Sequence, residues 1–246
     1  MTFPRFPGVA RIVAVSLTAA LLTGLTGAAP ATAGEAVEIL AAPLPITTIA
    51  PTRPGTRVVV LISGEAGRTA FESALGRELA DSGSGVIILD AKVFLSTAKS
   101  PATAASAVEE ALRRYARVWN RAHIVIVGYS RGADIAPFIA NRLSADLKPQ
   151  LDAVILLGPA GRASFELTIR ETVTKRPRTT DLPVMPELER LRGTKLLCAY
   201  GRQETGAFCA RVDSTLIRVI VRGGGHTLAQ SDGQSIAKLI FERVGP

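Results

Sequence analysis

The sequence is poor in the residue types that build metal centres and nucleic-acid interfaces. Its 246 residues include two histidines, two cysteines and one tryptophan, and aromatic residues make up 5% of the chain. The histidines, cysteines and acids show no metal-ligand spacing, so we predict that the protein holds no metal ion and uses no cofactor. Scarce aromatics and the lack of a nucleic-acid-binding motif argue against DNA or RNA as a partner.

The most apolar stretch of the sequence is short and lies near the amino terminus. Arg5 and Arg11 precede an apolar run over residues 12–25, and Ala31-Thr32-Ala33 supplies small residues where signal peptidase would cut. The run is weakly hydrophobic for a membrane-spanning helix. We therefore predict that residues 1–33 are a cleaved secretory signal, with a retained anchor as the alternative, and that the protein is periplasmic or secreted.

Acidic residues are fewer than basic ones, with 21 Asp and Glu against 29 Lys and Arg, which gives a formal net charge of +8. Removing 33 of the 246 residues leaves 213, and because the removed segment holds two arginines and no acid, the charge becomes +6. This length fits one domain, which we expect to be monomeric. The positive charge favours an anionic surface such as phospholipid headgroups, or is simply a solvated cationic face.

From residue 57 onward, apolar runs rich in β-branched residues alternate with segments of helical spacing. We predict strands near 57–63, 86–90, 123–128, 152–157, 195–200 and 215–221, and helices near 69–81, 102–119, from 131, and near 232–243. This alternation is typical of an α/β fold, here α/β-hydrolase-like, with a mostly parallel central sheet and helices on both faces. Residues 57–246 form its single domain, and the Pro- and Ala-rich lead of residues 34–56 is an extended edge strand or a tether.

Residues 161–192 interrupt the alternation with a different composition that includes Lys175-Arg176-Pro177-Arg178. Ligands of a doubly wound sheet bind outside the carboxyl ends of its strands, so an insertion there is a candidate small cap. A plain surface excursion is the alternative. The basic run is a candidate membrane contact.

Gly128-Tyr129-Ser130-Arg131-Gly132 follows the apolar run 123–127 and leads into helical spacing. This context is typical of a nucleophile elbow, in which a sharp strand-to-helix turn exposes a serine and the flanking glycines avoid a collision. A glycine-rich loop with an idle serine is the alternative. If the elbow forms, the N–H groups at the start of the helix point at any oxyanion formed on the serine.

A serine nucleophile needs a base, and the base needs an acid to orient it. His226 follows the last strand and is the predicted base, whereas His123 opens the strand beneath the elbow, at the wrong end, and is predicted to be structural. Glu204 directly follows the strand at 195–200 and is the predicted acid, with Asp213 in reserve. The order serine, acid, histidine is that of an α/β-hydrolase.

Two backbone N–H groups should form the oxyanion hole. One is that of Arg131, and the other comes from the loop 63–67, where we favour Glu65 over Ala66. This loop lacks the lysine and the serine or threonine of a phosphate-binding P-loop. Cys198 and Cys209 flank the predicted acid in a chain predicted to be exported, so we expect a disulfide rather than two buried thiols.

The elbow and the other landmarks of the chain resemble the bacterial virulence-protein family of VirJ and AcvB. The resemblance is carried by Gly128 to Phe138 continuing to Asn141-Arg142-Leu143, by Ser63-Gly64-Glu65, by Tyr200-Gly201 with Glu204 and Cys209, and by Gly224-Gly225-His226. It implies a periplasmic α/β-hydrolase that releases lysine from aminoacylated phosphatidylglycerol and, in some bacteria, serves virulence. By motif match it also implies that Ser130, Glu204 and His226 are a triad.

The chain departs from that family pattern near the entrance. It has Glu65-Ala66-Gly67-Arg68 in place of Asp-Gly-Gly-Trp, Arg131 in place of phenylalanine, and Thr205-Gly206-Ala207 in place of acids. The sequence thus predicts an exported serine hydrolase of carboxylic esters, with an aminoacylated phospholipid such as lysyl-phosphatidylglycerol as the preferred substrate. The alternatives are a non-catalytic periplasmic binding or assembly factor and a generic lipase or esterase.

Overall fold

The alternation predicted from residue 57 onward is confirmed by a computed structural model, which describes residues 44–168, 179–228 and 233–244. The predicted signal segment 1–33 and the basic run 175–178 lie outside the described residues. The strands are β1 Ile46–Ile49, β2 Arg57–Ile62, β3 Gly85–Leu89, β4 His123–Tyr129, β5 Leu151–Leu157, β6 Arg162–Ala163, β7 Leu182–Pro183, β8 Lys195–Gly201 and β9 Arg218–Arg222. The helices are α1 Ala70–Asp81, α2 Ala91–Phe94, α3 Pro101–Trp119, α4 Arg131–Asn141, α5 Met185–Arg190 and α6 Gly233–Val244.

Seven of these strands form one sheet in the order β1-β3-β2-β4-β5-β8-β9. All neighbours are parallel except β1, which runs antiparallel to β3. From β2 the chain first builds toward β3 and then returns to place β4 on the other side. The strand order therefore reverses between β2 and β4, and the crevice outside their carboxyl ends is where such sheets bind ligands.

Both faces of the central strands are buried, which explains their continuous apolar runs. In β2, Val58, Val60 and Ile62 face a cluster that includes residues of α3 and α4, whereas Val59 and Leu61 face a cluster that includes residues of α1 and α6. Each such side chain stabilises the fold by about 1.5–3 kcal/mol on burial. The sheet is thus a rigid base for the loops at its carboxyl edge.

Two features of the ends of the sheet refine the prediction. Residues 46–49 of the Pro-rich lead form the edge strand β1, one of the two alternatives. The last strand begins at Arg218 rather than at residue 215, because the Asp213 carboxylate accepts a hydrogen bond from the Thr215 N–H at 2.8 Å and its carbonyl accepts one from the Ile217 N–H at 3.2 Å. These bonds hold residues 213–217 in a turn.

The described parts of the segment 161–192 pack against the main domain. The short strands β6 and β7 pair with each other, and Val184 and Leu188 are buried in the core. The Asn141 side chain at the end of α4 donates a hydrogen bond to Glu187 Oε2 at 2.7 Å. This tie joins α5 to the helix that follows the predicted elbow. Within the described ranges, no helix combines the length and the apolar character needed to cross a membrane.

Candidate active site

The predicted strained turn is observed at Ser130. This residue connects β4 to α4 with φ 52° and ψ −117°, a backbone conformation that residues with side chains rarely adopt. A Cβ on Gly128 would lie 2.3 Å from the Gly132 carbonyl oxygen, and one on Gly132 would lie 2.2 Å from the Ile62 carbonyl oxygen. Both glycines are therefore needed for the turn to pack between β2 and β4.

His226 lies against Ser130, as the order of the strands predicts. The His226 Nε2 atom is 2.9 Å from the Ser130 Oγ atom, a hydrogen-bond distance. The histidine follows β9 in the loop 223–227, and its side chain is 45% exposed. Since β4 and β9 both end at the carboxyl edge of the sheet, their following loops bring together two residues that are 96 positions apart.

Glu204 completes the arrangement on the other side of the histidine ring. Its Oε1 atom is 2.8 Å from His226 Nδ1, and its side chain is 16% exposed. The reserve candidate, Asp213, instead accepts the hydrogen bond from Thr215 described above, and this bond lowers the pKa of its carboxyl. Ser130, His226 and Glu204 thus form one hydrogen-bonded row.

Gly201 allows the loops of the acid and the histidine to pack directly on each other, a role that the sequence analysis did not assign to it. A Cβ on Gly201 would lie 2.0 Å from the Gly225 carbonyl oxygen. The N–H groups of Arg202 and Gln203 donate hydrogen bonds to the carbonyls of Arg222 and Gly224, at 2.8 and 3.0 Å. The distance between Glu204 and His226 is therefore set by backbone contacts.

The predicted disulfide between Cys198 and Cys209 is confirmed. Cys198 lies within β8, and Cys209 lies in the short 3-10 helix Phe208–Arg211 beyond the acid. Both residues are buried. The cross-link therefore closes the segment that carries Glu204.

His123 lies at the opposite edge of the sheet, as predicted. It is the first residue of β4, and its Nδ1 atom is 3.0 Å from Asp152 Oδ1. Asp152 also contacts the Arg57 guanidinium at 3.4 Å. His123 is thus a partnered histidine at the amino edge, away from Ser130.

The loop after β2 approaches the serine closely. A Cβ on Gly64 would lie 3.4 Å from the Ser130 Cβ, so a glycine leaves the loop room at this point. The Gly64 N–H donates a hydrogen bond to Glu72 Oε1 at 3.5 Å. Arg131 is the first residue of α4, where helix N–H groups have no partner within the helix. The geometry therefore brings both segments named for the oxyanion hole next to Ser130.

The Arg131 side chain, which replaces the phenylalanine of the family pattern, lies beside an acid. It is 13% exposed, and its Nη2 atom lies 3.7 Å from Glu65 Oε2, whose side chain is 31% exposed. The charge also acts on buried Asp134. Burial raises the pKa of Asp134 to about 8, while hydrogen bonds from Gly161 and Ala160 and the Arg131 charge favour the carboxylate. The Arg131 guanidinium therefore lies beside the Glu65 carboxylate, and its charge reaches the buried Asp134.

The arrangement can carry out nucleophilic chemistry with the chain's own side chains. The described parts of the chain contain no group of three His, Cys, Asp or Glu residues placed to hold a metal ion. A serine hydroxyl, an imidazole and a carboxylate in a row are the groups from which a serine hydrolase is built.

Solved structures share this architecture. Est1E from Butyrivibrio proteoclasticus is 13% identical with a TM-score of 0.57, over 81% of this chain and 93% of that chain. A probable hydrolytic enzyme from Pseudomonas aeruginosa PAO1 is 14% identical with a TM-score of 0.57, over 82% and 89%. MenH from S. aureus is 11% identical with a TM-score of 0.57, over 80% and 96%. These likenesses show the α/β-hydrolase fold.

Comparison at the level of sequence is more specific. No curated protein matches the chain. The model of the family described as bacterial virulence protein (VirJ) matches residues 56–245, which is nearly the whole predicted domain. The chain therefore belongs to the VirJ family of bacterial virulence proteins.

Proposed function

We propose that the protein is an exported serine hydrolase of carboxylic esters that releases the aminoacyl group from an aminoacylated anionic phospholipid such as lysyl-phosphatidylglycerol. The observation that carries the proposal is the row Ser130 Oγ, His226 Nε2 at 2.9 Å, His226 Nδ1 and Glu204 Oε1 at 2.8 Å. The serine of this row has φ 52° and lies where the strand order of the sheet reverses, between β2 and β4.

In the proposed reaction, the Ser130 hydroxyl attacks the ester carbonyl carbon, and His226 Nε2 accepts the hydroxyl proton. The Glu204 carboxylate accepts a hydrogen bond from His226 Nδ1–H and so stabilises the imidazolium that forms on protonation. The oxyanion accepts hydrogen bonds from the backbone N–H of Arg131 and of Glu65. Collapse of this intermediate breaks the ester bond, and the alcohol leaves with the proton from His226. Water then cleaves the acyl-serine by the same steps.

Family membership and net charge support the choice of substrate. The family is one of bacterial virulence proteins, and the net charge of +6 that remains without residues 1–33 favours approach to an anionic lipid surface. The Cys198–Cys209 disulfide supports export, because such cross-links persist in oxidising compartments.

The test is to incubate the purified protein with vesicles of lysyl-, alanyl- or unmodified phosphatidylglycerol and to identify the released molecules by mass spectrometry. We expect free lysine or alanine, and a fall of about 10³-fold or more in the S130A variant. The exposed Ser96 supplies the matched control, since S96A should release amino acid at the parent rate.

Two results would contradict the proposal in different ways. Release of fatty acid from all three lipids, with no amino acid, would indicate a generic lipase or esterase. A folded protein that releases nothing and whose Ser130 is not labelled by a fluorophosphonate would indicate a non-catalytic binding or assembly factor. Activity that survives in S130A would exclude the serine mechanism.

A further inference from the structure

An ion pair connects the two loops that flank the Ser130 hydroxyl. Glu65 belongs to the loop that follows β2, and Arg131 directly follows the serine at the start of α4. Glu65 Oε2 and Arg131 Nη2 are 3.7 Å apart. These are the two residues whose backbone N–H groups the proposed mechanism directs at the oxyanion, so one side-chain contact joins the two halves of that site.

Each of the two segments is also anchored to a different neighbouring element. In the loop after β2, the Ser63 hydroxyl accepts a hydrogen bond from the Ala91 N–H at 2.9 Å, which ties the loop to α2. At the elbow, the Ser130 N–H donates to the Leu157 carbonyl at 2.8 Å, which ties it to the end of β5. The pairing of β2 with β4 sets the gap at the strand ends, at Ile62 and Gly128. Beyond those ends, the Glu65–Arg131 ion pair is a side-chain contact that crosses from one segment to the other.

The environment of the pair makes it more than a solvated surface contact. The Arg131 side chain is 13% exposed, and its charge acts on buried Asp134 as well as on Glu65. A poorly solvated guanidinium that loses the carboxylate beside it must move or recruit another partner. Removal of the Glu65 charge would therefore displace Arg131, and the backbone of Arg131 belongs to the elbow.

We propose that the Glu65–Arg131 ion pair is a positioning device that sets the separation of the two oxyanion N–H groups across the Ser130 hydroxyl. The proposal rests on the proposed function, because the oxyanion belongs to the serine mechanism. Displacement of one donor weakens the transition state more than it weakens substrate binding, so the pair acts on kcat and leaves KM nearly unchanged.

The test compares E65Q, R131Q and the double variant E65Q/R131Q in the full chain, with p-nitrophenyl acetate as an uncharged probe ester. We expect each single variant to lower kcat about tenfold with KM within about twofold, as for a partly misplaced donor. Because the two residues act as one unit, the double variant should lose no more than about the larger single loss. R131K keeps a positive charge and should recover part of the loss.

A second measurement follows the loop without needing turnover. Hydrogen exchange of the peptide that covers residues 63–67 should be about fivefold faster in E65Q than in the parent. The matched control is D146N, which breaks the exposed ion pair between Arg113 and Asp146 at the other edge and should leave both kcat and this exchange unchanged.

The outcomes separate this proposal from the proposed function. Faster exchange together with coupled losses of kcat supports it. Unchanged exchange overturns it whatever the kinetics show, and so do additive losses, a change in KM alone, or an unchanged kcat in an active protein. If the parent hydrolyses no ester, the proposed function fails and exchange alone decides whether the pair holds the loop.

Discussion

The protein contains two pairs of a histidine and a carboxylate, one at each edge of the same sheet. At the carboxyl edge, His226 Nδ1 lies 2.8 Å from Glu204, and at the amino edge, His123 Nδ1 lies 3.0 Å from Asp152. The two histidines are similarly exposed, at 45% and 50%. Contact between a histidine and a carboxylate is therefore not enough to make a catalytic site.

The pairs differ in what lies around them. His226 has Ser130 at its second nitrogen and stands in a loop, whereas His123 and Asp152 lie at the starts of neighbouring strands, with Arg57 beside them. The amino-edge pair follows from strand register alone and joins β2, β4 and β5. The carboxyl-edge pair requires three loops to meet, and the close packing at Gly132 and Gly201 and the Cys198–Cys209 disulfide hold these loops together.

The sharpest test of the comparison exchanges each histidine for alanine. We expect H226A to lower kcat/KM for p-nitrophenyl acetate by about 10³–10⁴-fold, because the serine loses its base. We expect H123A to stay within about twofold of the parent. Equal effects of the two substitutions, measured on folded protein, would show that the contrast between the edges has no catalytic meaning.

Loss of the disulfide, which lies at the carboxyl edge, should lower the free energy of unfolding. In the chain-entropy model, a cross-link over a sequence separation of 11 contributes about 3 kcal/mol to the free energy of unfolding. Urea unfolding with and without dithiothreitol measures this contribution, and the C198S/C209S variant should be insensitive to the reductant. An unchanged unfolding midpoint after verified reduction would show that the loop contacts alone hold Glu204.

Gly201 tests whether direct loop packing sets the geometry of the acid and the base. We expect G201A to lower kcat about 10²-fold, because its Cβ would meet the Gly225 carbonyl at 2.0 Å and displace the histidine loop. The control is G223A, whose Cβ has no atom within 4 Å and which should leave kcat near that of the parent. A G201A enzyme with parent activity would show that the loop tolerates displacement.

The buried acid at the carboxyl edge predicts a pH dependence of stability. Burial raises the pKa of Asp134 to about 8 from its ordinary value of 3.8, so between these values the folded state keeps a proton that the unfolded state has lost. Its contribution to stability therefore falls as pH rises across this window, by up to about 1.4 kcal/mol per pH unit.

The D134N variant removes this titration. Urea unfolding of the parent and of D134N should be measured from about pH 5 to about pH 10. Up to about pH 8, the difference in free energy of unfolding should move steadily in favour of the variant as pH rises. Above about pH 9 the two should change in parallel. Parallel behaviour across the whole range would contradict the raised pKa.

Local patterns predicted most of the fold. The strands β2, β4, β5 and β8 are apolar runs of six or seven residues, and their observed bounds lie within one residue of the predicted ones. The helices α2 and α5 were not predicted, because four and six residues are too few to show helical periodicity. The start of β9 was misplaced because the Asp213 turn interrupts an apolar run without a glycine or proline to mark it.

The sequence by itself determined the order of the elements and two residues of the row, Ser130 and His226, and it favoured Glu204 as the third. Because parallel strands end at one edge, the positions of Ser130, Glu204 and His226 after their strands were enough to predict that they meet. The disulfide followed from the spacing of the only two cysteines.

Only the tertiary structure decided the contacts between loops. The choice of Glu204 over Asp213, the need for Gly201 and the pairing of Arg131 with Glu65 all depend on distances between segments remote in sequence. A sequence records which side chains follow each strand, but loop conformation sets which way they point. The elbow could therefore be predicted from five residues, whereas the pairing of Arg131 with Glu65 beside it could not.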